Sequence, residues 1–194
     1  FGRQERTKAA ESGLDVYDLI LREMPAGPTR LLVLPHFAPS GPPRLDARSR
    51  GAIVGLTIGT SRGEVVKAML EGTAMEMRLG VELLERRGMV VDDFIATGGG
   101  ARSDAWLQIH ADVFGRSFRR SASPEAGCLG AAILAGVAAG AFASIEEAVE
   151  QVCRTAERFE PDAGRHAVYR ERLEVYRKLY PALREIHHAI SERG

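Results

Sequence analysis

The sequence predicts an α/β domain in which a sheet of short buried strands is flanked by long helices, and three observations carry that reading. Short runs of branched apolar residues stand at Arg30–Phe37 and Gly51–Thr57, and again just before Thr97. Much longer stretches repeat their apolar residues at helical spacing, the longest from Val66 to Leu84. Between a strand and a helix lies Asp92–Phe114, DDFIATGGGARSDAWLQIHADVF, in which three glycines follow one another. A glycine triplet loses more backbone entropy on folding than any other tripeptide, so a compact domain places it where a backbone or a ligand must approach the main chain closely. Ser103 stands at an N-cap position with Asp104 in the first turn, which puts unpaired N–H groups and the positive end of a helix dipole just after the glycines. An anion or a nucleotide would suit that end. A tight strand-to-helix turn with a close-packed helix accounts for the triplet equally well.

The 194 residues suffice for one sizeable core, hence one domain or two very small ones. Lys plus Arg and Asp plus Glu both number 26, leaving no net charge to draw nucleic acid or an anionic membrane, so neither is an expected partner. The longest apolar run falls far short of a membrane span and no signal peptide is visible, which makes a soluble cytoplasmic protein the expectation. Cys128 and Cys153 lie in helical apolar patterns and are expected as buried free thiols rather than a disulfide or a metal site. The histidines make no ligand constellation: His36 and His110 stand alone, and His187 and His188 would point in different directions on a helix. The chain opens on Phe1 and enters helical sequence almost at once, so it reads as a piece of a longer protein.

In chain order, the apolar positions before Pro25, Gly27 and Pro28 predict a helix over Ser12–Met24. Arg30–Phe37 predicts a buried strand ending near Pro35. Ala38–Arg50, with Pro39, Gly41, Pro42 and Pro43, cannot be regular structure. Its Pro42, Pro43, Arg44 and Asp46 are read as a structural turn, a cleft-facing segment being the alternative. After the second apolar run, Gly59, Thr60 and Ser61 resemble a phosphate-binding turn, but Ser61–Glu64 is also S-x-x-E ahead of an apolar stripe. A capping box explains everything seen there, and the phosphate reading is rejected. The long helix should stop near Gly88, and Gly72 and Gly80 inside it imply close packing. From Ser103 a helix places Trp106, Ile109 and Val113 on one face, so Trp106 is expected in the core, and Gly115 ends it. Ser117–Arg120 predicts a short strand or edge. Ser123 as N-cap and Pro124 at the first helical position open a small-residue helix that stops at Gly140 and can lie against a neighbouring backbone. Ser144–Val152 forms another helix, and from His166 a last helical pattern runs on with a kink at Pro181.

Four motifs in order and at compatible intervals resemble the C-terminal domain of the FGGY carbohydrate kinases: GAIVGL with VVKAMLEG, then ATGGGARSDAWLQIHADVFG, then EAGCLGAAILAG, then YRERLEVYRKLYPAL. The resemblance covers nearly the whole chain. It implies a ribonuclease-H-like fold of the actin and sugar-kinase class, in which two domains close on a cleft. Residues 1–194 would be the single C-terminal domain, supplying most of the adenosine site, while an N-terminal domain absent from this chain supplies most sugar contacts. The implied reaction is transfer of the γ-phosphoryl group of Mg-ATP to a hydroxyl of a sugar or polyol, and the Pro-rich loop resembles pentulose-type relatives more than glycerol kinases.

Carried over position by position, Gly98, Gly99 and Gly100 match the adenosine motif, where a side chain would collide with ribose or α-phosphate, and Ala101 and Ser103 continue it. Asp104 stands where relatives often have an amide against adenine. A carboxylate there accepts from the exocyclic amino group but cannot donate to a ring nitrogen, and a first-turn carboxylate facing the helix dipole is the equal alternative. The family's phosphate motifs and its aspartate base belong to sequence preceding Phe1, so the Mg²⁺ ligands are expected outside this chain. No catalytic residue is assigned within it, Asp46 and Asp93 included. The chain alone is therefore expected to be inactive, with its cleft face exposed to self-association as a homo-oligomer. A nucleotide-binding or interaction domain without kinase activity is the rival on the same fold.

Overall fold

Helix α3 (Arg62–Arg86) is the longest element of the computed structural model, which describes residues 3–13, 16–38, 40, 41 and 44–192. The capping box starts it as expected. The Ser61 side chain accepts from the Glu64 N–H while the Glu64 carboxylate accepts from the Ser61 N–H, at 3.2 and 2.8 Å. Two short helices precede it, α1 (Arg3–Ser12) and α2 (Val16–Leu21), with an antiparallel strand pair, β1 (Leu32–Leu34) and β2 (Ala52–Val54). After it come β3 (Phe94–Ala96), a 3-10 turn (Gly99–Arg102), α4 (Asp104–Phe114), β4 (Phe118–Ser121), α5 (Ala126–Ala138) and α6 (Ile145–Val152). The chain closes with β5 (Thr155–Phe159), α7 (Ala163–Tyr176) and α8 (Leu179–Ser191). A second sheet has the order β3-β4-β5, with β3 parallel to β4 and β5 antiparallel to it. Parallel pairing needs a crossover, which α4 supplies. The domain is therefore α/β, with helices flanking two small sheets rather than one.

The core lies where α3, α4 and α7 meet the strands. It is built from Leu34, Met75, Leu79, Val113, Phe114, Phe118, Tyr169 and Tyr176. Three aromatic rings lock the second sheet to α4: Phe94 stacks on Phe118 at 4.6 Å, and Phe114 meets both edge-on. Gly72 is the seam between α3 and β1, because a Cβ there would overlap the Val33 carbonyl.

Several expectations are corrected. The helix expected over Ser12–Met24 is only α2, because Gly13 at φ 69° ends α1 first; Leu14 and Asp15 lie outside the described residues. Gly80 is not a close approach, since nothing lies within 4 Å of where its Cβ would be. β4 is the middle strand of its sheet. The small-residue helix begins at Ala126 with Glu125 as N-cap, and only Ile133 of it is buried. Both cysteines are exposed, since α5 and the end of α6 leave them at the surface. The break near Pro181 falls at Arg177–Lys178, where a proline ring four residues later excludes a continuous helix. Of the Pro-rich loop, Pro42 and Pro43 lie outside the described residues. Arg44 and Asp46 turn inward: Arg44 pairs with Glu76 at 2.5 Å and lies over the Tyr180 ring, and Asp46 accepts from Tyr180 and His188, each at 2.8 Å. Among the described residues no helix is long and apolar enough to cross a membrane.

Gly72 and Gly80 of α3 should respond oppositely to one added methyl. Gly72→Ala forces α3 from β1 and should cost about 1–3 kcal/mol, whereas Gly80→Ala should gain up to about 1 kcal/mol of helix propensity. Urea unfolding midpoints of the two variants check this, and equal effects would refute the seam.

Candidate functional site

The glycine triplet leaves β3 through a backbone that only its first member can adopt easily. Gly98 has φ 82° and ψ −170°, a region closed to other residues. The chain then tightens: the Ala101 N–H donates to the Gly98 carbonyl at 3.2 Å and the Ser103 N–H to the Gly100 carbonyl at 3.1 Å. Ser103 caps α4 as expected, its hydroxyl accepting from the Trp106 N–H at 3.2 Å. Ala101 is buried, and its carbonyl accepts from Arg120 Nε at 2.7 Å. Asp104 is 78% exposed and ion-paired with Arg120, a partner on β4 that neither of its expected roles included.

The other two glycines are not demanded by the protein's own packing. Nothing lies within 4 Å of a Cβ on Gly99, and a Cβ on Gly100 would only touch the Trp106 indole at 3.6 Å. Both face a cavity of about 660 Å³ lined by Tyr17, Leu21, Leu70, Gly99, Gly100, Arg102, Ser103 and Trp106. That volume lies in the range of cofactor pockets. Leu21, Leu70 and the indole make an apolar wall suited to a planar ring, while Arg102 and the backbone of the turn supply polar groups. Gly99, Gly100 and Ser103 thus come together at one cavity, with Gly98 and Ala101 shaping the turn behind it, while Asp104 is not among the residues that line it.

Trp106 is a correction: it is half-buried and forms a wall of the cavity instead of core. Beneath it His110 packs at 5.0 Å between ring centroids, and its Nδ1–H donates to the Trp106 carbonyl at 2.8 Å. Burial pushes the His110 pKa down, so the ring under the cavity is neutral. Sequence spacing could not separate a cavity wall from core, because both use the apolar face of α4. Tyr17 and Leu21 arrive from α2 and Leu70 from α3, elements distant in sequence. Arg102 sits inside the motif, where its charge was the available signal. Among the described residues no group of three or more His, Cys, Asp or Glu converges on a metal position.

A strand that ends in a glycine turn, a capped helix and an adjoining cavity together make an α/β domain with a candidate ligand site. The chain matches the C-terminal domain of the FGGY family of carbohydrate kinases over residues 2–139, and it belongs to that family. It is 30% identical to a xylulose kinase of Bacillus subtilis over 167 residues, 86% of this chain and 34% of the relative. A glycerol kinase of Enterococcus faecalis is 35% identical over 136 residues, covering 70% of this chain and 27% of that protein. Among solved structures, the ligand-bound xylulose kinase of Lactobacillus acidophilus superposes with a TM-score of 0.77 at 25% identity, over 92% of this chain and 37% of that one. The chain spans about a third of the length of the relatives it matches.

The three glycines should separate under substitution. Gly98→Ala should cost about 1–3 kcal/mol of stability through its backbone conformation, while Gly99→Ala should change stability by no more than about 0.5 kcal/mol. Thermal unfolding of both variants is the check. A large loss at Gly99 would mean that packing, not a ligand, explains the triplet.

Proposed function

We propose that this chain is the nucleotide-binding half of a cytoplasmic ATP-dependent carbohydrate kinase, one lobe of the ribonuclease-H-like fold shared by actin and sugar kinases. The observation that carries this reading is the emptiness in front of Gly99 and Gly100, where glycine is present without any clash from the protein itself to require it. Adenosine would lie in the cavity along Trp106 and Leu70, with ribose and α-phosphate over the glycine backbone. Ser103 and Ala101 hold the turn, and Asp104 follows as the first residue of α4. The complete enzyme would transfer the γ-phosphoryl group to a hydroxyl of a pentulose-like sugar or a polyol. Similarity to xylulose kinases over most of the chain favours the pentulose. The Mg²⁺ that such transfer uses enters no step assigned to the described residues.

Such catalysis is positioning and charge stabilisation across a cleft, and one wall cannot position two substrates. Two outcomes follow. In the complete protein Gly99→Val should raise the dissociation constant for ATP about tenfold or more by steric collision, a loss of about 1.4 kcal/mol, with the unfolding midpoint retained; unchanged affinity by calorimetry would remove the adenosine assignment. Residues 1–194 alone should release no sugar-dependent ADP in a coupled assay with Mg-ATP and a panel of pentuloses, hexuloses and polyols. Turnover by the fragment near that of the complete protein would show that the base and phosphate-binding groups lie within this chain.

A further inference from the structure

The glycine turn is a weak structure by itself: it is a single short 3-10 element of four residues, two of them glycines. What fixes it comes from the neighbouring strand. The β3–β4 ladder sets Arg120 opposite Ala96, the last residue of β3 before the chain turns towards Gly98. Between the pairs Arg119–Arg158 and Ser121–Thr155, β5 carries one residue more than β4, so Ala156 and Glu157 stand against Arg120 alone. Such an irregularity re-aims the side chains around it.

The Arg120 guanidinium uses its planar fork in three directions. Nε donates to the Ala101 carbonyl at 2.7 Å, Nη2 reaches the Asp104 carboxylate, and Nη1 donates to Glu157 at 3.0 Å. The group also lies over the Phe159 ring, 5.3 Å from its centroid. One rigid cation therefore joins the last part of the 3-10 turn, the first residue of α4, and β5. Arg120 does not line the cavity, so it acts on whatever binds there through Ala101 and Asp104. Lysine could not replace it, since an ammonium group is a single point and cannot hold three partners in one plane.

We propose that Arg120 is the positioning residue of this site, holding the Gly98–Ser103 turn in its ligand-ready shape before the ligand arrives. The proposal rests on the nucleotide reading for the identity of the ligand but not for the ordering of the turn. Without the bracket, the ordering of the turn would be drawn from the binding free energy of the ligand.

The test uses Arg120→Lys in the complete protein. Amide hydrogen exchange at Ala101 and Ser103, which donate to the Gly98 and Gly100 carbonyls, should accelerate about tenfold without ligand, and the dissociation constant for ATP should rise about ten- to hundredfold. Affinity for the sugar and the global unfolding midpoint should stay near wild type. Unchanged exchange at those amides overturns the proposal, as does an equal loss of ATP and sugar affinity accompanied by a lower midpoint, which is what a merely structural role would give. If Gly99→Val leaves ATP affinity unchanged, the nucleotide reading fails separately, and the exchange rates alone then judge Arg120. Should Arg120→Lys fail to fold, Glu157→Gln removes one exposed arm of the bracket. It should speed exchange at the same amides about two- to fourfold, and no acceleration there would again overturn the proposal.

Discussion

A buried carboxylate on α3 is the constraint from which the rest of the arrangement follows. Glu71 is 1% exposed, and a charge so placed is tolerable only if its lone pairs are filled. Three donors fill them: the Thr29 N–H at 3.1 Å, the Thr29 hydroxyl at 2.6 Å and the Tyr169 hydroxyl at 2.8 Å. The approach to β1, the middle of α3 and the first half of α7 must therefore all be in place at once. Gly72 follows directly in sequence, so the helix that offers the carboxylate also brings its backbone against Val33. Burial, reinforced by the Glu71 charge, holds the Tyr169 hydroxyl far above the ordinary phenol range, which keeps it a donor at every relevant pH.

Once α7 is fixed, α4 is fixed with it. Asp112 near the end of α4 is buried and accepts from the Asp162 N–H at 2.8 Å, Gln108 at 2.9 Å and Arg165 Nε at 2.5 Å. His166 donates through Nδ1 to the Asp112 carbonyl at 2.8 Å, and a Cβ on Gly115 would overlap its ring. The helix is thus clamped at its C-terminal end by α7 and at its N-terminal end by Arg120. A helix held at both ends transmits position along its length, so Ser103 and Trp106 stand where the core dictates, although neither is buried.

What the sequence made legible were the features with a local cause. The Ser61 and Ser103 caps, the stop at Gly115 and the strand before the triplet each depend on residues within a few positions of one another. The missing pieces have distant causes. β5 reads as polar, TAERF, because it is a largely exposed strand that pairs with β4 alone, so it carries no alternation to detect. The α5 sequence looks like core because it is apolar all round, yet its main contact is α6 and most of it is exposed. Composition cannot say which partner is present. Tyr17, Leu21 and Leu70 reach the cavity only through the packing of α2 and α3 onto α4, and Arg120 reaches the turn only through strand pairing.

Three aspartates, Asp46, Asp93 and Asp112, serve the geometry of the fold. A general base works best with a pKa near the operating pH. Asp46 is held well below the usual carboxylate range, first by the hydrogen bond from His188 and then by those from Tyr180 and the Arg48 N–H. Asp93 is lowered chiefly by its pair with Arg119. Asp112 has its oxygens occupied by Arg165 and two further donors. Each of these carboxylates is committed to holding elements together, and Asp46 and Asp93, whose ionised forms are so stabilised, are weak proton acceptors. Activating any of them would require first breaking the contact that places it.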